Sequence, residues 1–405
     1  MSRIRKTSAF LGLKKSILGL LSMVILVGLG EKMAERFLPM YLLALGGGLW
    51  SVGLLNGLDN LLSALYSFPG GYLVEKVGTK KSLLIFNILA MTGFIIVIII
   101  PEWQAVIAAS FLFLSWTAIS LPATVTIISD VLPKNKRTMG MSVHSLVRRI
   151  PMFLGPLIGG AFITALGIKT GIKIGFSVAL ILALVATVLQ QIMITDHKND
   201  KTESLKNSAT KNPLKLWKEM PVSLKRLLVS DILVRFCEQI PYAFVVVWCM
   251  QTITNPVSAF EFGILTTVEM VTAMVVYIPV AYFADNTEKK PFVLMTFVFF
   301  TFFPLALLFT NSFTMLILAF FLRGLKEFGE PTRKTLIMEL APENRKASMF
   351  GLYYLVRDSV VSVSAFSGAF LWMISPTVNL LTAFGFGVAG TLWFAFFGTD
   401  KHGEE

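Results

Sequence analysis

Of the charged side chains that fall inside otherwise apolar stretches of sequence, sixteen stand out. The cations are Lys32, Arg36, Arg148, Arg149, Arg235, Arg323, Lys326 and Arg357. The anions are Glu31, Glu35, Asp59, Glu238, Glu269, Glu327, Glu330 and Asp358. Two kinds of chemistry follow. A carboxylate held away from water can take up and release a proton, and Glu31, Glu35 and Asp59 are the strongest candidates. An arginine can hold an anionic group through its planar fork of donors, and Arg148, Arg149 and Arg357 are best placed for that. The two signs balance, so for any single residue mutual pairing is the default expectation. His144, one turn before Arg148, reads as a packed or hydrogen-bonded histidine.

The elements that must position these groups are long apolar segments. Of 405 residues, 55% are hydrophobic and 15% charged, with a mean hydropathy of +0.72. Soluble domains carry about 25% charged residues. Apolar runs occur at roughly 16–45, 50–74, 82–100, 104–131, 139–166, 171–195, 223–251, 258–283, 291–309, 312–340, 346–374 and 377–398. Each is long enough to cross a hydrocarbon core of ~30 Å as a helix. The expected fold is therefore an all-α membrane protein of twelve transmembrane helices. Six precede and six follow a polar linker at 196–222, giving halves at 1–195 and 223–405. The end of that linker, Pro213–Met220, is expected either as a short surface helix or as plain solvated chain.

A charge at bilayer depth costs roughly 3 kcal/mol on insertion scales, so each should face protein or water. At ~1.5 Å per residue, counting from Lys15 and Glu75 puts Arg36 and Asp59 in the outer half, where they could pair. The same count puts Arg148, Arg149, Arg357 and Asp358 near the midplane, with Lys326 and Glu330 at similar depth.

Several function classes are excluded. The net charge of +12 comes from lysines and arginines in short loops, a topology signal rather than a nucleic-acid surface. Basic residues gather in alternate loops, with only Lys169 and Lys173 in the opposite set, so both termini are expected in the cytoplasm. The first run, from Ile17, continues to Leu43 without a small-residue cleavage site and reads as a helix. Cys237 and Cys249 and the scattered His144, His197 and His402 give no metal-ligand spacing. No G-x-x-x-x-G-K-[S/T] motif is present, and no nucleophile–base pair suggests an enzyme. No cofactor is expected.

The halves resemble each other at an offset near 210. Gly53-Leu54-Leu55, Asp59, Pro69 and Glu75 match Gly263-Ile264-Leu265, Glu269, Pro279 and Asp285. Pro122, Asp130, Pro133 and Asn135 match Pro331, Glu339, Pro342 and Asn344, and Leu146-Val147-Arg148 matches Leu355-Val356-Arg357. Two repeated bundles with a solute site near the midplane are a transporter plan.

The stretch Gly71-Tyr72-Leu73-Val74-Glu75-Lys76-Val77-Gly78-Thr79-Lys80-Lys81 resembles the G-x-x-x-[D/E]-[R/K]-x-G-[R/K]-[R/K] loop of the major facilitator superfamily, with Thr79 where a basic residue is usual. A degenerate second copy keeps Asp285 and Lys290. The resemblance covers essentially the whole chain and implies two pseudo-symmetric six-helix bundles. It also implies a cytoplasmic gate in which Glu75 faces the start of helix 11 and the loop bases reach Asp130. Gly155-Pro156-Leu157-Ile158-Gly159-Gly160 is similar to the G-P-x-x-G-G motif of the family's drug–proton antiporters, although small residues there also serve close helix packing. The usual helix 4 arginine of those antiporters is absent. Glu31, Glu35, Arg36 and Phe37 are similar to the E-x-x-E-R-F signature of proton-coupled peptide transporters, with the first spacing off by one. The resemblance implies a secondary transporter of a bacterial-type inner membrane, coupled to protons or another cation. Export of drugs or metabolites and uptake of a polar solute (peptide, sugar, organic acid or siderophore) both stay open. A sensor with the same fold is a rival from another class. The sequence does not give an oligomeric state.

Overall fold

In a computed structural model the described residues are 15–114, 116, 120, 123–124, 127, 137–194, 213–284, 288–342 and 345–400. Regular structure among them is helical throughout. Backbone polar groups in hydrocarbon must be satisfied internally, and a helix does this within one segment.

The helices are α1 (Lys15–Glu35), α2 (Leu38–Ala44), α3 (Gly48–Val77), α4 (Thr79–Ile99), α5 (Trp103–Phe113), α6 (Arg137–Leu166), α7 (Ile168–Met193), α8 (Pro213–Glu219) and α9 (Val222–Gln239). They continue as α10 (Ala259–Ala284), α11 (Lys290–Leu308), α12 (Phe313–Leu325), α13 (Glu330–Leu340), α14 (Lys346–Ile374) and α15 (Pro376–Phe397). Grouped by span, they are the twelve-helix arrangement expected from sequence. Eight segments of the described residues are long and apolar enough to cross a membrane on those grounds alone. The other spans carry polar or charged residues in mid-length, as α3 does at Asn56, Asp59 and Asn60 and α14 at Arg357 and Asp358, or are interrupted.

Among the described residues, three spans are broken. The first breaks at Arg36-Phe37, and Pro39 sits in the first turn of α2. The seventh runs from α9 into a 3-10 turn at Tyr242–Phe244, one α-turn at Val245–Val247 and a π-turn at Trp248–Thr252. The tenth breaks between α12 and α13, with Pro331 in the first turn of α13. A break frees backbone donors that must find partners. Here the Gly329 N–H donates to Thr296 Oγ1 of α11 at 2.5 Å.

Contacts divide the chain into two units. Unit 1 comprises Met1–Ser51, Leu62–Thr202 and Ser258–Ile264; unit 2 comprises Val52–Leu61, Glu203–Val257 and Leu265–Glu405. In unit 1, α1 packs along α6 and α7, and α4 along α5 and α7. In unit 2, α9 packs along α14 and α15, and α11 along α12 and α15. The repeat seen in sequence is thus a repeat of packing, helix for helix. It extends to single glycines. A Cβ on Gly159 of α6 would fall on the Met33 carbonyl of α1, and one on Gly368 of α14 would fall on the Ile240 carbonyl after α9. These glycines lie 209 residues apart, and each lets two helix backbones close on one another.

The helix α8 is docked rather than solvated. Its Leu216, with Met220, enters the apolar core of unit 2 beside Leu224, Leu340 and Met349. Trp217 stays exposed with Lys225 Nζ 5.5 Å from its ring, and Glu219 pairs with Arg345.

Candidate functional site

Unit 1 holds a small cavity. Its walls come from three spans. From α1 come Val24, Gly28, Glu31 and Lys32; from span 4, Trp116, Ser120 and Thr124; from α6, His144, Arg148, Pro151 and Met152. The four-residue spacings in span 4 and between His144 and Arg148 put each set on one helix face. Glycines set the α1–α6 approach, since a Cβ on Gly155 would lie 2.6 Å from Lys32 Cβ. Lys32 Nζ lies 3.3 Å from Glu31 Oε1 and also pairs with Glu35. The second Glu31 oxygen, Oε2, is buried and accepts no hydrogen bond among the described residues. His144 is buried on the cavity wall.

Behind the span 4 wall runs a chain of uncharged polar groups. The Trp116 indole N–H donates to Asn87 Oδ1 at 3.0 Å. Asn87 Nδ2 donates to Gln190 Oε1 at 3.0 Å, and Gln190 Nε2 donates to the Lys80 carbonyl at 2.8 Å.

Unit 2 handles its charges differently. Asp231, Arg235 and Glu238 line one face of α9. Asp231 pairs with Arg333 of α13 and accepts the Tyr353 hydroxyl of α14 at 2.9 Å. It also lies 3.5 Å from Arg357 and 3.9 Å from Arg235. Arg235 reaches Glu238 at 2.6 Å and Glu330 at 3.5 Å, and Glu330 also pairs with Arg333 at 2.7 Å. Lys326, at the break in span 10, bridges Glu238 at 2.8 Å and Glu269 at 3.2 Å, and Arg323 lies 3.3 Å from Glu269. The Arg323 guanidinium is 4.9 Å from the Phe303 ring centre, so its faces meet aromatic carbon while its edge meets carboxylate. The outcome is one chain of ion pairs across α9, α10, α12, α13 and α14.

Of the sequence-derived residues, this network takes in Glu238, Glu269, Arg323, Lys326 and Glu330. It also takes in Arg357, which is held by Asp358 at 2.7 Å as well as by Asp231. Arg36 lies in the turn after α1, Asp59 on α3 and Arg149 on α6; each has polar or charged interactions. Asp231, Arg333 and Tyr353 were not singled out from sequence.

In the loop motif, Gly71, Glu75 and Lys76 belong to α3. Gly78 follows at φ 89°, a backbone region that favours glycine, and caps α3. Lys80 and Lys81 lie in the first turn of α4. The surroundings of Gly71 and the Glu75 side chain, and Asp130 and Asp285, lie outside what is described. The repeat-related contact is visible in unit 2. Lys289, 209 residues after Lys80, bonds Glu339, 209 after Asp130, at 3.0 Å. Lys290 opens α11. Gly155, Pro156, Gly159 and Gly160 run along α6, and the first and third of these sit against α1.

Known proteins match this architecture. An uncharacterized MFS-type transporter of Methanocaldococcus jannaschii is 22% identical over 376 residues, covering 87% of each chain. A crystal structure of the nucleoside transporter NupG superposes with a TM-score of 0.80 at 12% identity, covering 95% of this chain and all (100%) of that one. A peptide transporter POT solved with alafosfalin gives a TM-score of 0.76 at 15% identity, covering 95% and 93%. The Major Facilitator Superfamily model matches residues 20–255 and again 227–405. With the repeated helix packing and the charged interior of each unit, these matches make the chain a member of the major facilitator superfamily of secondary transporters.

Proposed function

We propose that this protein moves a small polar solute carrying an anionic or zwitterionic group, coupled to protons, by alternating access. In this reading two six-helix halves, joined at 196–222, rock about the solute, in a cytoplasmic-type inner membrane with both termini in the cytoplasm. The observation that carries it is the unit 1 cavity, where the Glu31 carboxylate and the Arg148 guanidinium share one wall set with Lys32 and His144. Glu31, a buried carboxylate lining the cavity, supplies a proton carrier, and Arg148 supplies an anchor for an anion. The solved relatives support the solute class: one was solved with alafosfalin, and another POT family transporter with 5-aminolevulinic acid. The glycines of the helix 5 motif have a packing role, so they do not argue for export. The loop motif acts as a cytoplasmic gate, with Glu75 and the loop bases toward Asp130, a reading supported by the Lys289–Glu339 bond of unit 2.

The test is proton and solute flux in proteoliposomes with a panel of amino acids, short peptides, nucleosides and organic acids. Wild type runs beside Glu31→Gln and Arg148→Gln. Solute-dependent proton movement that is lost in Glu31→Gln supports coupling, and its direction assigns uptake or export. Flux that ignores the pH gradient and survives Glu31→Gln overturns proton coupling.

A further inference from the structure

We infer that Trp116 is the specificity-determining wall of the unit 1 cavity, held in place by Asn87 and Gln190, and that the solute carries a planar apolar group beside its anion. The inference rests on the transport reading above and names the solute class that this cavity takes. Three observations combine. First, the cavity is two-sided in chemistry. Glu31, Lys32, His144 and Arg148 are polar or charged, whereas Trp116 and Met152 contribute apolar atoms to the lining.

Second, the indole is fixed from behind by buried amides. Asn87 and Gln190 are fully buried, at 0% exposure, in the apolar spans 3 and 6. A buried amide is costly unless satisfied, and here each hydrogen bond passes to the next group. Lys80 carbonyl accepts from Gln190, Gln190 from Asn87, and Asn87 from Trp116. The last donor in the chain is the indole N–H, so the network's free end is a ring orientation. Apolar packing alone would bury the indole with fewer constraints. Three directed bonds near 3 Å leave the ring one setting.

Third, with its N–H satisfied from behind, the ring has only its π-face and edge to offer the cavity. It therefore reads flat apolar surface, not hydrogen-bonding groups. Arg148 is the planar cation of the same lining, suited to a carboxylate or phosphonate. A solute fitting both surfaces is an aromatic or otherwise planar organic acid, or a zwitterion built on one.

The test is fluorine NMR of the full chain in lipid nanodiscs, with its seven tryptophans labelled as 5-fluorotryptophan. Trp116→Phe identifies the Trp116 line by its loss. The probes are benzoate, benzamide (same ring, no charge) and acetate (same charge, no ring). Benzoate is expected to move the Trp116 line saturably, and benzamide and acetate to act at least about tenfold more weakly, ~1.4 kcal/mol each. Asn87→Leu and Gln190→Leu are expected to move or broaden the Trp116 line while the other lines hold, and to weaken benzoate through its affinity. A structural role alone would not separate these probes. Benzamide acting as well as benzoate, or a Trp116 line indifferent to all three probes, overturns the inference. So does a Trp116 line unmoved in a folded Asn87→Leu protein. If Asn87→Leu does not fold, the wild-type titration decides alone. Solute flux with a silent Trp116 line sinks this inference and keeps the transport reading. A saturable benzoate response with no flux of any solute does the reverse.

Discussion

Unit 1 and unit 2 are built on one packing scheme yet spend their charges in opposite ways. Unit 1 turns Glu31, Lys32, His144 and Arg148 toward a cavity. Unit 2 closes Asp231, Arg235, Glu238, Glu330 and Arg333 on one another, with Asp231 and Arg333 each only 1% exposed. Charges removed from water must find partners or neutralise. Unit 2 meets that demand largely with ion pairs among its own helices, whereas in unit 1 the charged groups line a cavity. The difference suggests a division of labour within one repeat: a network that holds helices in register, and a site that changes occupancy.

The comparison breaks most readily at its most buried pair. Arg333→Leu leaves Asp231 and Glu330 without their main partner, and should cost about 3–5 kcal/mol. Thermal unfolding in detergent should show a large drop or no folded protein. If Arg333→Leu unfolds like wild type, unit 2 is not a structural network. Next in size are the repeated glycines. Gly159→Leu and Gly368→Leu each drive a side chain into a facing carbonyl, and should each cost about 1–3 kcal/mol. Equal losses sharpen the shared scheme; a loss in one unit only would mean the helix contacts are not equivalent.

Arg148→Gln is the unit 1 counterpart. Its unfolding midpoint should stay near wild type, a change within ~1 kcal/mol, while solute flux falls about tenfold or more, ~1.4 kcal/mol. A large stability loss without a selective flux loss would make unit 1 another ion-pair network. Smallest is Lys334→Ala. Its ammonium is half exposed, 3.4 Å from Glu330, so its removal should shift stability by less than ~0.5 kcal/mol. A larger effect would extend the buried network to the surface.

Much of this was legible in the sequence because hydrophobic length and a repeated register are long-range signals. Pro122 against Pro331 and Arg148 against Arg357 needed no contacts to be seen. What escaped lay where boundaries are ambiguous. Asp231 shares its span with Lys225, Arg226, Arg235 and Glu238, and Arg333 adjoins Lys334, so neither is an isolated charge in an apolar run. The break at Lys326–Gly329 places α13 as a separate helix whose Arg333 turns inward, and periodicity over span 10 does not reveal a break. Asn87 and Gln190 carry no charge, so the balance of charges in apolar segments does not point to them. An uncharged amide alone in an apolar helix was the signal that would have found the Trp116 wall. Arg357 read as a solute anchor by its match to Arg148, yet its neighbours Asp231 and Asp358 occupy it. Repeat position fixes where a side chain starts, and the partners present fix what it meets.

The Asp231–Arg333 pair also bears on how the chain is made. Its members are 102 residues apart, so at ~5–20 residues per second Asp231 leaves the ribosome roughly 5–20 s before its partner exists. Arg235, one turn away, can shield it meanwhile, but α9 still carries charges that are costly in lipid. The seventh span would therefore be expected to wait beside the insertion machinery until α13 arrives, which makes the second half of the protein a unit of synthesis as well as of packing.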